Sequence, residues 1–123
     1  MAYDFTSGIP LYRQIITLFE QKICAGEYGP GQELPPVREV AMLYAVNPNT
    51  VQKAFAELDR LGVTETRRTT GRFVTTDSAF IDALREQNAK EEIKRSMATL
   101  AKLGLDQKTM KKLWLECQEE KHD

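Results

Sequence analysis

Cysteine and histidine are scarce in this chain of 123 residues, which limits the chemistry it can carry. Its two cysteines, Cys24 and Cys117, stand far apart and form no CxxC pair, so they indicate neither a disulfide framework nor a zinc site. The one histidine, His122, lies near the end of the sequence, where we expect no catalytic or metal role. The sequence contains no P-loop, GxGxxG or Ser-His-Asp set. We therefore expect a protein that is not an enzyme and that needs no metal or cofactor.

Long hydrophobic runs and an excess of one charge are also missing. No apolar run approaches the ~20 residues that a membrane span needs, and the first five residues lack the basic and apolar regions of a signal peptide. We therefore expect a cytoplasmic protein without a membrane partner. The formal net charge is -1, so no global basic field indicates nucleic acid. Locally, however, Arg67, Arg68 and Arg72 follow one another with no acid between them.

Residues 47–62 have the pattern of a helix with both ends marked. Asn47 is a favourable N-cap, Pro48 suits the first helical position, and Gly62 suits the left-handed residue that ends a helix. The apolar positions repeat at helical spacing: Val51, Ala54, Phe55, Leu58 and Leu61. The opposite face begins with hydrogen-bonding side chains: Asn49, Thr50, Gln52 and Lys53. Such a helix end suits the major groove of DNA, but an amphipathic helix with a solvated polar face has the same pattern.

The segments around this helix predict a winged helix-turn-helix. A first helix begins near Pro10 and ends at Gly26, and residues 32–34 are extended. A second, short helix leads within three or four residues into helix 47–62, and its inward positions are Val37, Val40, Ala41 and Leu43. Residues 63–67 and 72–75 form two β runs around a glycine-containing loop, which indicates a hairpin with its tip at residues 68–72. The predicted fold is mainly α with a small β-hairpin, and residues 1–76 form the winged-helix domain.

Residues 77–123 are predicted to form an α-helical hairpin that serves as a dimerisation tail. A pair of helices this small has too little interior to bury large apolar groups such as Trp114. These groups need another surface, either the winged helix or a second copy of the chain. We favour the second copy, because a helix hairpin makes a self-complementary interface. The predicted interface residues are Phe80, Leu84, Met97, Leu100, Met110, Leu113, Trp114 and Cys117.

Several motifs resemble those of the GntR family of bacterial transcription regulators. They are PLYRQI at residues 10–15, PGQELPPVRE at 30–39, VNPNTV at 46–51, Leu61-Gly62, Arg67-Arg68, and GRFV at 71–74. The resemblance covers about residues 9–76, and the short tail is similar to that of the YtrA-type branch. It implies a cytoplasmic homodimer that binds a palindromic operator on double-stranded DNA, usually as a repressor. It also implies that a small-molecule effector is possible and that the target is a transporter operon.

The same resemblance implies which residues contact DNA. Arg38 matches an arginine that reaches DNA beside the recognition helix, and Arg68 and Gly71 lie in the wing that approaches the minor groove. Arg72, at the end of the predicted tip, is added to the candidate DNA contacts from its position in the sequence and not from the resemblance. The recognition positions are Asn49, Thr50, Gln52 and Lys53. The chain departs from the family pattern at Pro36, Gln52 and Thr69, where serine or threonine, arginine and glycine are common.

Some of these side chains also have an ordinary structural interpretation. Arg38 could instead pair with Glu39 or Glu33. For Gln52, adenine is the favoured partner by geometry, and the alternative is an amide that only contacts solvent. Thr50 could contact a phosphate or a thymine methyl, or bond its own helix backbone.

The basic residues differ in what they suit. Lys53 fits a phosphate contact better than base recognition. Arg67 and Arg68 face opposite ways if both lie in a strand, and we favour Arg68 for DNA because it is nearer the tip. Arg72 either contacts DNA or pairs with Glu65 across the hairpin.

The alternative function is a winged helix that binds another protein instead of DNA. If the protein binds DNA, its basic side chains should share one positive face: Arg38, Lys53, Arg68 and Arg72. Acidic residues such as Glu39 and Glu65 interleaved among them would favour the alternative.

Overall fold

The computed structural model describes residues 4–120 and contains five α-helices and one antiparallel pair of strands in that range. In chain order the elements are α1 (Leu11–Cys24), α2 (Val37–Tyr44), α3 (Pro48–Arg60), β1 (Thr64–Arg67), β2 (Gly71–Val74), α4 (Ser78–Ala101) and α5 (Gln107–Glu120). The predicted fold class, a winged helix-turn-helix followed by two helices, is confirmed. His122 lies outside the described residues, as do the outer ends of the two predicted domains.

Helix α3 has the predicted ends. The Asn47 side-chain oxygen accepts the backbone N–H of Asn49 at 2.7 Å, and Pro48 occupies the first helical position. Gly62 has a φ of +84°, so it supplies the left-handed residue after the helix. The local sequence therefore sets both where this helix begins and where it ends.

A tight turn joins α2 to α3. Ala45 adopts the left-handed conformation, with a φ of 55° and a ψ of 47°. The N–H of Val46 then bonds back to the carbonyl of Ala41 at 3.0 Å, which is the longer bond of a Schellman motif. This turn sets the direction in which α3 leaves α2.

The hydrophobic core lies among α1, α2, α3 and the base of the hairpin. Phe19 and Phe55 meet edge to face at its centre, with ring centroids 5.0 Å apart. The buried apolar residues are Ile15, Leu18, Phe19, Ile23, Leu34, Val40, Ala41, Val51, Ala54, Phe55, Leu58, Val63, Val74 and Ile81.

Two residues that we expected in this core are exposed. Leu43 is 66% exposed because the inward stripe of α2 continues from Val40 to Tyr44, and Leu43 lies off that stripe. Leu61 is 42% exposed because the chain turns at Gly62 and Val63 fills the core there. The predictions for Leu43 and Leu61 are therefore wrong.

The hairpin is tied to the segment before α2. Strands β1 and β2 pair antiparallel, with Arg67 opposite Gly71, so a three-residue loop forms the tip. The predicted extended piece at residues 32–34 lies beside β2, where Glu33 bridges Phe73 and the N–H of Leu34 donates to the carbonyl of Arg72 at 2.8 Å. The base of the wing is thus a small three-stranded arrangement.

The backbone forms two compact units that divide after Leu84, eight residues later than the domain boundary that we predicted at 76/77. The first turns of α4 belong to the first unit, because Ile81 is buried and Phe80 and Leu84 pack against the winged-helix core. In the second unit, Asp106 caps α5 by accepting the N–H of Thr109 at 2.8 Å. None of the helices in residues 4–120 combines the length and apolar character needed to cross a bilayer.

Candidate nucleic-acid interface

The N-terminal half of α3 presents an open polar face. Asn49, Gln52 and Lys53 are exposed, and Thr50 is half-buried. Within residues 4–120, the side chains of Asn49, Thr50 and Gln52 form no hydrogen bond or ion pair, so their donors and acceptors remain open to a ligand. The alternative in which the Thr50 hydroxyl bonds its own helix is not what the structure shows. The roles of these residues in DNA recognition stay predictions.

Tyr12 of α1 underlies one end of this face. The Lys53 ammonium lies 4.0 Å from the centroid of the Tyr12 ring, a cation–π distance. The Arg13 guanidinium donates to the Tyr12 phenol oxygen at 3.3 Å. That hydrogen bond and the charge of Arg13, with a smaller effect from Lys53, lower the pKa of the Tyr12 phenol despite the opposing effect of desolvation. Tyr12 also packs against the edge of the core, and the sequence analysis did not predict its contact with Lys53 between α1 and α3.

Arg38 is exposed near the start of α2. The alternative pairing with Glu33 or Glu39 does not occur, because within the described part of the chain the Arg38 guanidinium has no ion-pair or hydrogen-bond partner. Its five donors are therefore available to phosphate or to the acceptors of guanine.

The tip of the wing is strained and carries one open arginine. Arg68 is exposed, and in residues 4–120 its side chain has no partner. Thr69, which stands where glycine is common, has a φ of 63°, and Gly71 has a φ of 136°. A Cβ at Gly71 would come 2.5 Å from a Glu33 carboxylate oxygen. Glycine is therefore required here both for the positive φ and to avoid this clash.

The neighbouring Arg67 is engaged within the hairpin. Its Nε donates to Glu65 at 3.1 Å, and its guanidinium carbon lies 4.3 Å from the Phe73 ring centroid. The structure therefore leaves Arg68, not Arg67, open to a ligand, although its contact with DNA stays a prediction.

Arg72 has a different partner from the one suggested by its sequence position. Glu65 is not its partner; instead Arg72 Nε and Nη2 each donate to a carboxylate oxygen of Asp59 at 3.1 Å. The Arg72 side chain is 14% exposed and the Asp59 side chain 27%. Burial opposes ionisation of Asp59, but the hydrogen bonds from Arg72, Thr64 and Thr66 outweigh it and lower the pKa of the carboxyl.

Asp59 is the residue that the sequence analysis missed. Thr64 and Thr66 alternate on β1, and Arg72 stands opposite Thr66, so all three can face the end of α3. That alternation, together with an acid in the last turn of α3, was the available signal.

The predicted positive face thus loses one member. Arg72 is neutralised by Asp59, whereas Arg38, Lys53 and Arg68 form no ion pair within the described residues. Glu65 pairs with Arg67, and in the described part of the chain neither Glu39 nor Glu65 forms an ion pair with any of these three cations. This distribution favours an anionic ligand over the protein-binding alternative.

The second unit exposes large apolar side chains. Trp114 is 64% exposed, and none of the α5 residues is buried. Exposed with Trp114 are Ile93, Met97, Leu103, Leu113, Leu115 and Cys117, while Leu100 and Met110 are half-buried. Of the predicted interface residues, Phe80 and Leu84 already pack on the winged-helix core, so less of their surface is open to a partner. All eight interface assignments stay predictions.

Comparison with protein families gives one match that covers the winged helix. Residues 11–74 match the model of the bacterial regulatory proteins of the gntR family. The chain is 36% identical over 110 residues to the HTH-type transcriptional regulator YhcF of Bacillus subtilis, covering 89% of this chain and 91% of YhcF. It is also 36% identical over 104 residues to the HTH-type transcriptional repressor YtrA of Bacillus subtilis, covering 85% of this chain and 72% of YtrA.

Solved structures share the fold. A GntR family transcriptional regulator from Listeria monocytogenes is 33% identical, with a TM-score of 0.83 over 91% of this chain and 97% of that one. The DNA-binding domain of AraR, solved in complex with operator ORR3, is 25% identical, with a TM-score of 0.53 over 61% of this chain and 88% of that one. The resemblance noted in the sequence motifs is therefore confirmed, including the similarity to YtrA.

Proposed function

We propose, from the premise that this chain belongs to the gntR family of bacterial regulatory proteins, that it is a transcriptional repressor acting as a homodimer on a palindromic operator. The family and the winged helix make it a DNA-binding transcription regulator and not an enzyme. Repression is proposed because its relative YtrA is named a repressor. The protein would act in the bacterial cytoplasm, where its operator lies.

The open polar face of α3, together with the unpaired guanidinium of Arg38 on α2, carries this proposal. Asn49, Thr50 and Gln52 offer unused donors and acceptors to base edges in the major groove. Arg38, Lys53 and Arg68 would neutralise phosphates or, for Arg38, bind guanine bidentately, and the release of counterions would supply much of the affinity. Gly71 would let the wing approach the minor groove closely. The DNA-binding domain of AraR, which shares this fold, was solved in complex with an operator, and this supports DNA binding by the present domain.

The exposed apolar surface of the second unit supports the homodimer. A tryptophan and several aliphatic side chains left open to water on helices α4 and α5 are an unfavourable surface for a free monomer. A second copy would cover them through a two-fold interface. The two copies of α3 would then enter major grooves about one helical turn apart, ~34–36 Å, or a multiple of that distance. An effector that modulates this dimer stays a prediction.

The test of DNA binding uses a duplex from the region upstream of the protein's own gene and a scrambled duplex of equal length. We expect specific binding that weakens steeply with salt and that Arg38→Ala weakens by about 5- to 100-fold. Arg60→Ala is the matched control, because Arg60 also lies at a helix end but is paired with Glu57. If Arg38→Ala and Arg60→Ala bind the upstream duplex equally well, or if salt has no effect, the proposed mode of binding is wrong.

The test of the dimer is its mass in solution. We expect twice the mass of one chain by sedimentation equilibrium, and a shift toward monomer for Trp114→Glu because a charge would enter the apolar interface. Lys111→Glu introduces the same acid on α5 outside the apolar positions and should leave the dimer intact. A monomeric wild-type protein would refute the dimer without touching the assignment to the family.

A further inference from the structure

One face of the hairpin converges on a single carboxylate of α3. Thr64 and Thr66 lie two residues apart on β1, and Arg72 is the cross-strand partner of Thr66. Residues two apart in a strand share a face. All three side chains on this face reach Asp59, which lies in the last turn of α3.

Each oxygen of the Asp59 carboxylate accepts two hydrogen bonds from the hairpin. Oδ1 of Asp59 accepts from Thr64 Oγ1 at 2.5 Å and from Arg72 Nε at 3.1 Å. Oδ2 accepts from Thr66 Oγ1 at 2.6 Å and from Arg72 Nη2 at 3.1 Å. The Arg72 guanidinium also lies 5.1 Å from the ring centroid of Phe55 in the core. Four hydrogen bonds and an aromatic contact therefore hold the hairpin against α3.

A wing needs such an anchor. A two-stranded hairpin is at best marginally stable in water, so its position depends on what it packs against. On one side, the backbone of β2 bonds to residues 32–34, as in the bond between Val74 N–H and the Gln32 carbonyl at 2.9 Å. On the other side, the side-chain contacts with Asp59 connect the hairpin to α3, whose opposite end carries the polar face.

The same contacts argue against a direct role for Arg72 on DNA. Its charge is cancelled by Asp59, and its Nε and Nη2 donors are already used. Moving it to a phosphate would leave the Asp59 carboxylate partly buried without its cation, which is costly. The Arg68 side chain, by contrast, has no ion-pair or hydrogen-bond partner within residues 4–120.

We propose that Asp59 and Arg72 are positioning residues for DNA recognition: they fix the wing on α3, so that Arg68 and the α3 face engage one duplex together. Arg72 acts through this contact and does not touch the duplex. This inference rests on the proposed DNA-binding function. It means that the negatively charged Asp59 favours the binding of DNA, although DNA is itself negatively charged.

Charge alone predicts the opposite result, which makes the test decisive. Asp59→Asn removes one negative charge and releases Arg72, so simple electrostatics predicts tighter binding to any DNA. If Asp59 positions the wing, the same change weakens specific binding instead. We expect a loss of about tenfold on the upstream duplex, the order of one directed contact, and unchanged or tighter binding to the scrambled duplex.

Glu57→Gln is the matched control. Glu57 is also an acid on α3, but its partner is Arg60 on the same helix and not the hairpin. The substitution changes the net charge as Asp59→Asn does, so we expect binding to both duplexes that is at least as tight as that of the wild type.

Two further variants separate positioning from a phosphate contact. Arg72→Gln should weaken upstream binding about as much as Asp59→Asn, and the double variant should be no worse than either, because both remove one shared pair. Arg68→Ala should cost less affinity in the Asp59→Asn background than in the wild type. Arg72→Gln keeps the carboxylate for the two threonines, so the test does not depend on the stability of one variant.

Three results would overturn the inference. The first is an Asp59→Asn variant whose affinity for the upstream duplex equals or exceeds that of the wild type. The second is an Arg72→Gln variant that loses affinity equally for both duplexes and lowers the salt slope by about 0.9 per protomer, as loss of a phosphate contact would. The third is a wild-type protein that does not prefer the upstream duplex; this result alone would also refute the proposed function.

Discussion

Replacing Ala45 with glycine should stabilise the protein, although glycine in the interior of a helix is destabilising. Ala45 ends α2 in the left-handed conformation, with a φ of 55°. For a residue with a Cβ this conformation costs roughly 1–2 kcal/mol, which glycine does not incur. Glycine in turn gains about 0.4–1 kcal/mol of conformational freedom in the unfolded chain, which opposes the benefit. The net expectation is a stabilisation of about 0.5–1 kcal/mol.

The control is the same substitution where the backbone is helical. Ala56 is exposed in the interior of α3, so Ala56→Gly should destabilise the protein by about 0.5–1 kcal/mol. The two variants remove the same methyl group and are expected to shift stability in opposite directions. Each is measured by urea unfolding followed by circular dichroism, at one fixed protein concentration because dissociation of a dimer would couple to unfolding.

The refuting result is a shift of the same sign in both variants. If Ala45→Gly also lowered the urea midpoint, Ala45 would carry no conformational strain that glycine could relieve. Contacts other than this left-handed residue would then fix the angle between α2 and α3. DNA affinity should be unchanged in Ala45→Gly, because glycine keeps the turn and none of the predicted contact residues is altered.

Two further expectations follow from the caps and the charges. Asn47→Ala should destabilise the protein by about 1 kcal/mol because the N–H of Asn49 loses its acceptor, and Asn47→Asp should retain most of the stability in the same urea titration. The folded-state pKa of Asp59 is lowered, so its contribution to stability is present above the unfolded pKa of about 3.9 and is lost as pH falls through the folded value. The stability difference between wild type and Asp59→Asn should therefore shrink on acidification below about pH 4, and a difference that stays constant there would contradict this assignment.

The elements of the fold could be predicted because their signals are local. Asn47, Pro48 and Gly62 act within one turn of the helix that they begin or end, and the alternation in residues 63–67 spans a single strand. Neither signal depends on what the segment later packs against. The helix-turn-helix and the hairpin followed from placing such segments in order.

Failures arose where a side chain's role depends on a distant segment. Leu43 is apolar like a core residue, but it lies off the inward stripe of α2 that Tyr44 completes. With only about two turns of helix, the apolar pattern was too short to show which way Leu43 faces. Tyr12 contacts Lys53 across 41 positions of sequence, and Asp59 contacts Arg72 across 13. No periodicity within one element reports such a pair.

The three wing arginines show why net charge was a poor guide to this protein. In the sequence, Arg67, Arg68 and Arg72 form one basic cluster in a chain of net charge -1. In the structure, Glu65 holds Arg67, Asp59 holds Arg72, and Arg68 has no partner within residues 4–120. The acids that cancel the net charge are thus used on particular cations, so a nearly neutral winged helix still offers open cations to phosphate. What determines the DNA-binding surface is therefore which cations the fold leaves unpaired, and this depends on tertiary contacts that composition does not record.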